Sequence, residues 1–281
     1  MQTHSKMQYS ELNIAHHQEP MQTEILIAQL GELGFDSFVE NPNELLAYSP
    51  SEIFSEGDVF SLIKSSPNID NFSVKNIEEQ NWNAVWESSY EPVRFGDFCN
   101  IRAPFHEPVS GMKFDLIIEP KMSFGTAHHE TTSLMIEWLK TEPVEGKRVL
   151  DMGCGTGVLA ILAKKLGAKF VEAIDNDEWA FENTKENILR NETPEISVEL
   201  GDAENLNGKN FDVIIANINR NILIRDMPMY VKTMSKNAVI LLSGFYKSDL
   251  DAVSKSCIEN GLQYVSHLEK NNWVAAKFVK T

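Results

Sequence analysis

Apolar residues along this chain follow two spacings, one typical of buried strands and one typical of helices. In the second half, each short apolar run is followed by a helical pattern, an order typical of a parallel sheet covered by helices. After a first strand that ends near Asp151, the predicted strands are Phe170–Asp175, Phe211–Ala216, Ala238–Ser243, Gln263–Glu269 and Trp273–Val279. The predicted helices are Val158–Leu166, Ile222–Met234 and Ser248–Asn260. The pattern therefore predicts an α/β fold.

A smaller α+β unit is predicted for residues 1–78. It contains a helix over Thr23–Leu33, ended by Gly34, and a second helix over Ser55–Ser65. Short strands are predicted at Ser37–Glu40, Leu45–Ser49 and Phe72–Ile77. This alternation is typical of a ferredoxin-like module.

Residues 79–120 are predicted to bridge this unit and the larger domain, which covers residues 121–281. Within the bridge, paired strands are expected at Cys99–Ala103 and Phe114–Ile118, around a turn at residues 108–111.

The run from residue 149 to residue 157 contains the most informative chemistry. Its glycines, Gly153, Gly155 and Gly157, allow a strand to turn at once into a helix, because glycine adopts positive φ and has no Cβ. Asp175 ends the next predicted strand, where its carboxylate can accept both hydroxyl protons of a ribose. The arrangement predicts a ligand that carries adenosine.

Two cofactors fit this geometry. The segment from Gly155 to Ala160 satisfies the dinucleotide pattern G-x-G-x-x-A, with Asp175 twenty residues beyond Gly155, so NAD is an alternative. Asp151 followed by Gly153 instead resembles the D/E-x-G-x-G-x-G signature of class I S-adenosylmethionine methyltransferases, which favours that cofactor. A tight turn that binds no ligand is a third alternative, although three glycines weaken a fold that gains nothing from them.

A polar loop upstream leads into a predicted helix, for which Thr131 or Thr132 is the expected N-cap. His128 and His129 are adjacent, so they point to different sides, and no Cys or His lies at ligand spacing from them. We therefore expect no metal site.

Asn217 directly follows the predicted strand Phe211–Ala216. The carboxyl ends of strands line the ligand crevice in open α/β sheets, and an amide there offers an acceptor to an incoming amine. The alternative is that Asn217 only caps the next helix.

The chain is acidic, with 25 Lys and Arg against 41 Asp and Glu and a formal net charge of −16. This charge argues against binding nucleic acid through its phosphates and suits a basic protein partner. No feature of the sequence indicates an oligomer, and we therefore expect a monomer.

Cysteine usage indicates a reducing compartment. Cys99, Cys154 and Cys257 are odd in number and scattered, so we expect no disulfide framework and a cytoplasmic location. Cys154 is interpreted as a small residue that fits a crowded turn rather than as a nucleophile. No run of about eighteen apolar residues predicts a membrane span.

These motifs together resemble the bacterial ribosomal protein methyltransferases of the PrmA family, whose catalytic half is that of class I methyltransferases. The stretch from Asn81 to Gly96 is similar to that family's linker, so the resemblance covers nearly the whole chain. The motifs that carry it are Phe124-Gly125-Thr126 with Thr131-Thr132, Asp151 to Gly157, Ala173-Ile174-Asp175 and Ala216-Asn217-Ile218.

The resemblance implies a Rossmann-like, seven-stranded catalytic domain and S-adenosylmethionine as cofactor. It implies that the substrate is large-subunit ribosomal protein eleven, methylated on its N-terminal amine and on lysine side chains. The small N-terminal unit would then bind the protein substrate, and its alternative role is that of a stabilising appendage.

Roles carry over from the family by position. Its cofactor-contacting residues fall on Thr132, Gly153, Asp175 and Asn217, and Thr126, Asp151 and Gly155 complete the predicted cofactor site. Three residues depart from the family's usual loop, namely Ala127, His128 and Glu130, in place of a glycine, a threonine and a proline. Asn219-Arg220 also replaces a more usual apolar continuation.

Asn217 is the predicted catalytic residue. A methyl group on a sulfonium is already activated, so positioning of the amine supplies most of the catalysis. Burial beside the cofactor's positive charge lowers the pKa of the amine, and we expect no His or Cys to act as a dedicated base.

Alternative functions are a methyltransferase for another protein or a small-molecule amine, an NAD-dependent oxidoreductase and a non-catalytic binding module.

Overall fold

A computed structural model describes residues 9–16, 20–77, 90–121 and 124–281, which form two compact units divided after Tyr90. Most of the linker-like stretch, including Trp82 and Trp86, lies outside the described residues. No helix in the described part of the chain is both long and apolar enough to cross a membrane.

The first unit has the element order β-α-β-β-α-β. Its elements are β1 (Tyr9–His16), α1 (Pro20–Glu32), β2 (Ser37–Asn41), β3 (Glu44–Pro50), α2 (Glu56–Ser65) and β4 (Ile69–Ile77). The strands form an antiparallel sheet in the order β2-β3-β1-β4. The two predicted helices and the three predicted strands of this unit are confirmed, and Ser55 is the N-cap of α2.

Strand β1 lies inside this sheet, and the sequence analysis omitted it. Every second residue of β1 is buried, and Leu12 and Ile14 pack in the core of the unit. Leu12 pairs in register with Val74 on one side and Ala47 on the other. The alternation of polar and apolar residues over this strand is the signal that could have predicted it.

The second unit is built on a seven-stranded sheet. Its elements are β5 (Val93–Phe95), β6 (Cys99–Arg102), β7 (Phe114–Ile117), α3 (Glu130–Thr141), β8 (Arg148–Met152), α4 (Val158–Lys165), β9 (Phe170–Asp175), α5 (Glu178–Arg190), β10 (Ser197–Leu200), β11 (Phe211–Asn217), α6 (Arg220–Thr233), β12 (Met234–Tyr246), α7 (Leu250–Glu259), β13 (Leu262–Lys270) and β14 (Trp273–Lys280). Short 3₁₀ helices cover Ala203–Leu206 and Lys247–Asp249.

The strand order of the large sheet is β10-β9-β8-β11-β12-β14-β13, and β14 runs antiparallel to both of its neighbours. The predicted strands and helices of this unit are confirmed, and β9 has the predicted bounds. β8 lies between β9 and β11 in this order. The strand order therefore reverses at β8, because the chain adds β9 and β10 on one side of it and the later strands on the other. The carboxyl ends of these three strands therefore flank the crevice where ligands bind in such sheets.

A three-stranded sheet, β5-β6-β7, belongs to the second unit. The strands predicted at 99–103 and 114–118 do pair, but they run in parallel, so the loop at 108–111 does not join them as a hairpin. Ile101 and Leu116 of this sheet share one hydrophobic core with Ile161 of α4.

Two asparagines, Asn187 on α5 and Asn191 as its C-cap, bind the backbone of the segment that contains β7. The side chain of Asn191 accepts from Ile117 N at 2.9 Å and donates to Ile117 O at 2.6 Å, as a neighbouring strand would. Asn187 Oδ1 accepts from Glu119 N at 2.9 Å, and its Nδ2 donates to Thr156 O at 2.9 Å. These amides satisfy polar groups that a sheet edge would otherwise leave unpaired.

We expect the substitution Asn191→Ala to lower the free energy of unfolding by about 1 to 3 kcal/mol, because it leaves both backbone groups of Ile117 without a partner. Urea unfolding of the purified protein measures the change. The exposed Asn207 provides the control, since Asn207→Ala should change stability by less than about 0.5 kcal/mol. An equal effect of the two substitutions would contradict the role assigned to Asn191.

Candidate functional site

A cavity of about 670 Å³ opens where β8, β9 and β11 end. Its walls come from the glycine loop, the turn after β9, the residues after β11 and the start of α3. The lining residues are Phe124, His129, Thr131, Gly153, Gly155, Asp175, Asn176, Asp177, Trp179, Ala180, Asn217, Ile218, Asn219, Ile222, Gly244 and Trp273. Four of the predicted site residues, Gly153, Gly155, Asp175 and Asn217, therefore meet in one cavity.

The glycine loop follows β8 and has almost no room for side chains. Gly153, Gly155 and Gly157 have φ of 71°, 56° and 78°, in the region that favours glycine. A Cβ on Gly153 would lie 2.1 Å from Ile218 Cγ2, and one on Gly155 would lie 2.2 Å from Phe124 O. Packing within the protein itself therefore requires glycine at positions 153 and 155. The evidence for a ligand is the cavity beside these residues.

Asp175 connects this loop to the end of β9. Its Oδ2 accepts from Gly155 N at 2.8 Å, and its Oδ1 accepts from Asp177 N at 3.0 Å. An ionised carboxylate has about four lone-pair sites, so each oxygen keeps capacity for a further donor. The carboxylate is therefore fixed in position, lines the cavity and can still accept the two hydroxyl protons of a ribose.

Asn217 lies across the cavity from Asp175, on the far side of β8. Its Nδ2 donates to Thr132 Oγ1 at 3.2 Å, whereas its buried Oδ1 has no hydrogen-bond partner among the described residues. The N-cap of α6 is Asn219, whose side chain accepts from Asn221 N. The alternative that Asn217 only caps the next helix is therefore wrong.

The remaining predicted contacts do not line the cavity. Thr132 is fully buried and holds the amide of Asn217, while its neighbour Thr131 faces the cavity. Thr126 lies in the loop before α3, with its Oγ1 3.3 Å from Nδ1 of His128. The contribution of these residues to cofactor binding stays a prediction.

His129, rather than either threonine, is the N-cap of α3, which corrects the expected start of this helix. Its Nδ1 accepts from Thr131 N at 3.2 Å. His128 points elsewhere, with its Nε2 2.9 Å from Glu91 O. Within the described residues no group of His, Cys, Asp or Glu has a metal-binding arrangement.

Asp151 lies beneath the glycine loop and is only 1% exposed. Its Oδ2 accepts from Ala160 N at 2.9 Å, near the start of α4, and its Oδ1 has no hydrogen-bond partner in the part of the chain that the structure describes. Burial, followed by the charge of nearby Asp175, raises the pKa of Asp151 to about 7, and the bond from Ala160 opposes this shift. The geometry gives Asp151 a role in holding the loop to the helix.

Cys154 is buried in the same loop, with its Sγ 3.4 Å from Thr184 Oγ1. Burial and the neighbouring Asp151 raise the pKa of this thiol well above its ordinary value. A thiol held in its neutral form is a poor nucleophile, which supports the interpretation of Cys154 as a packing residue.

Aromatic and apolar residues of the cavity wall were not predicted from the sequence. His129 lies between Phe124 and Trp273, with ring centroids 5.0 Å and 4.7 Å away. Gly244 contributes a third close approach, because a Cβ there would lie 2.3 Å from Ile218 O. The positions of Gly244 and Trp273 in the sheet are the signal that could have indicated their place in the site. Gly244 lies near the carboxyl end of β12, and Trp273 is the first residue of the adjacent β14.

Comparisons with known proteins agree over most of the chain. Residues 32–281 match the profile of the family described as Ribosomal protein L11 methyltransferase (PrmA). A protein with that name from Phocaeicola vulgatus is 43% identical in an alignment of 279 residues that covers 97% of this chain and 99% of the relative. Another from Bacteroides fragilis is 45% identical in an alignment of 261 residues that covers 91% of this chain and 93% of the relative.

Solved structures give a consistent result. A crystal structure of a ribosomal protein L11 methylase from Lactobacillus delbrueckii subsp. bulgaricus matches with a TM-score of 0.64 and 26% identity, over 68% of this chain and 100% of that chain. A methyltransferase from Pyrococcus furiosus, 20% identical, matches with a TM-score of 0.51 over 58% of this chain and 88% of its own, which shows a shared fold.

The burial of Asp151 predicts an unusual dependence of stability on pH. A carboxyl with a higher pKa in the folded chain binds more protons when folded, so it favours folding below pH 3.8 and loses that contribution as the pH rises to about 7. We expect Asp151→Asn to remove this slope, which is about 1.4 kcal/mol per pH unit between pH 5 and 6 and falls to about half of that near pH 7.

Chemical unfolding of the two proteins at several pH values tests this expectation, because the titration of all other groups cancels in the difference between them. Parallel stability curves for wild type and variant would show that Asp151 is ionised throughout this range.

Proposed function

Because the chain belongs to the family of ribosomal protein L11 methyltransferases, we propose that it transfers methyl groups from S-adenosylmethionine to amines of ribosomal protein L11. Lysine side chains and the N-terminal amine are the acceptors. The observation that carries this proposal is that two complementary groups line the same cavity. The fixed carboxylate of Asp175 lies on one side of β8, and the amide of Asn217, whose acceptor is unused, lies on the other.

The described residues fit the cofactor. Asp175 is positioned to hold the ribose, and the glycine loop lets the cofactor approach the backbone closely. The bound cofactor supplies a methyl group activated by the positive charge of its sulfur. The strand order, with one antiparallel strand near the edge, supports assignment of the large unit to the Rossmann-like, seven-stranded fold of class I methyltransferases.

Asn217 acts on the incoming amine in this mechanism. Its Oδ1 accepts an N–H of the neutral amine, which directs the nitrogen lone pair toward the methyl group. Thr132 holds the amide from behind through the bond at 3.2 Å and so fixes its orientation. An acceptor that is buried and unpaired costs free energy, and the amine supplies the missing partner.

Among the residues that the structure describes, neither His129 in the cavity wall nor Cys154 in the glycine loop is arranged as a base. Nδ1 of His129 accepts from the backbone of Thr131, so the neutral ring carries its proton on Nε2 and has no free lone pair for an amine. Burial keeps the thiol of Cys154 protonated. The amine therefore loses its proton to solvent, aided by the cofactor's charge, which lowers its pKa.

The N-terminal unit is proposed to bind the protein substrate. Its β-α-β-β-α-β order and antiparallel sheet support a ferredoxin-like fold for the unit proposed at residues 1–78. The catalytic domain is proposed at 121–281, and of the bridge proposed at 79–120 the strands β5 to β7 pack within the second unit. The net charge of −16 favours association with a basic ribosomal protein by long-range attraction, without direct binding of nucleic acid. The proposed enzyme acts as a monomer in the cytoplasm.

The substrate is tested by incubating the enzyme with purified ribosomal proteins and a labelled methyl donor, followed by mass spectrometry. We expect methyl groups on ribosomal protein L11, at lysines and at the N-terminus. Label confined to another protein or to small amines would overturn the substrate assignment. A thermal shift caused by NAD and absent with S-adenosylmethionine would overturn the cofactor.

The two sides of the cavity should respond differently to substitution. We expect Asp175→Ala to weaken the binding of S-adenosylmethionine about 100-fold or more, since it removes the acceptor of the ribose and a support of the glycine loop. Asn217→Ala should change binding less than about threefold and lower kcat about 100-fold, because its contact forms with the amine. Calorimetry and steady-state kinetics separate these effects.

Asp212→Ala is the matched control, because this carboxylate lies outside the cavity and accepts from Arg148 N. Cofactor affinity should be unchanged in that variant. Equal loss of binding in Asp175→Ala and Asn217→Ala would refute the division of labour between the two residues.

A further inference from the structure

Trp179, in the first turn of α5, is 79% exposed although its side chain is among the largest in the chain. The inward face of α5 consists of other residues, including Asn183, Asn187 and Ile188. Nearby Phe181 is covered by Lys185, whose Nζ lies 4.7 Å from the ring centroid. Packing within α5 therefore does not account for the position of the indole.

The same indole lines the cavity, together with Asp175, Asn176 and Asp177. Asp177 is the N-cap of α5 and accepts from Ala180 N at 3.0 Å, while its own N–H donates to Asp175 at 3.0 Å. The start of the helix is thus fixed relative to the carboxylate that is placed to hold the ribose. Trp179 belongs to the same short segment.

The two ends of the cavity differ in chemistry. β8 separates β9 from β11, so the ends of these outer strands lie about 10 Å apart. The β11 end carries Asn217, where the amine is methylated. The β9 end carries Asp175 and Trp179, so a nucleoside whose ribose contacts Asp175 has its base beside the indole, away from the methyl group.

We propose that the indole of Trp179 stacks on the adenine of the cofactor and covers that end of the cavity. This inference rests on the proposed function, because it assigns one wall of the same site. Stacking on an aromatic side chain suits a flat purine, and its loss on substitution by alanine weakens binding by roughly 5- to 100-fold.

Calorimetry with S-adenosylhomocysteine tests the proposal on three variants of the full chain. Trp179→Ala should raise the dissociation constant about tenfold or more, and Trp179→Phe should keep it within about threefold, because phenylalanine preserves an aromatic face. Leu189→Ala is the matched control. Leu189 is 70% exposed on the same helix, about 15 Å along its axis from Trp179, and should leave binding unchanged.

A second ligand, 5′-methylthioadenosine, carries the nucleoside without the amino-acid part. Trp179→Ala should weaken its binding by the same factor, and a loss confined to S-adenosylhomocysteine would overturn the stacking. Unchanged affinity for S-adenosylhomocysteine with a raised KM for the protein substrate would also overturn it, and would assign the indole to substrate docking.

Thermal unfolding without ligand accompanies each titration, and the exposed position predicts equal melting temperatures for wild type and variants. If Trp179→Ala unfolds early, quenching of tryptophan fluorescence by S-adenosylhomocysteine decides. The quenching should be clearly smaller in Trp179→Phe than in the wild type, with the remainder coming from Trp273 in the same cavity wall. Absence of binding by the wild-type chain would refute both proposals, whereas binding that Trp179→Ala retains in full would refute only the stacking.

Discussion

The close packing of the glycine loop is the constraint on which the rest of the site depends. At Gly155 the carbonyl of Phe124 occupies the space of a Cβ, and it accepts from Thr156 N at 2.9 Å. The hydroxyl of Thr156 donates to Gly125 O at 2.7 Å. On the other side the loop donates to Asp175. One loop thereby aligns the segment before α3, the end of β9 and the residues after β11, so the cavity walls are positioned together.

Two aspartates near this loop show how burial separates structural from binding roles. Asp151 is enclosed, keeps one backbone partner and has a pKa raised to about 7, so its protonation stabilises the buried position. Asp175 lines the cavity with two backbone donors and spare acceptor capacity. Both lie in the motif that indicated the cofactor, yet only Asp175 can contact a ligand in the observed geometry.

Local sequence predicted those features that are set by short-range periodicity. β9 has the predicted bounds because its six residues are mostly apolar and end in an acid, with Glu172 the one charged residue inside the strand. The predicted strands β13 and β14 are likewise confirmed, and two asparagines with positive φ, Asn271 and Asn272, join them. The same reasoning omitted β1, whose eight residues alternate but follow a stretch without pattern. The alternation in β1 was present, so the omission comes from the patternless residues before the strand and not from its length.

Features that depend on contacts distant in sequence were beyond such reasoning. The bond between Asn217 and Thr132 joins residues 85 positions apart, and the asparagines that bind the segment of β7 are 68 and 74 positions from their partners. The parallel pairing of β6 and β7 has the same origin, because only the assembled core decides which edges meet. Trp179 was missed because its exposure, rather than its place in a motif, is what distinguishes it.

The departure from the family's usual loop at Ala127 shows how the fold accommodates a changed residue. Ala127 has φ of 69°, a conformation that costs about 1 to 2 kcal/mol for a residue with a Cβ and that glycine adopts freely. Its methyl group is fully buried in the core around α3, and burial of one such group contributes about 0.8 kcal/mol. Its carbonyl also accepts from Ser133 Oγ at 3.0 Å. Burial of the methyl group offsets part of the strain, and the bond from Ser133, which a glycine would also accept, holds the loop in place. Alanine therefore keeps a backbone conformation typical of glycine, and the loop still brings His129 and Thr131 to the cavity.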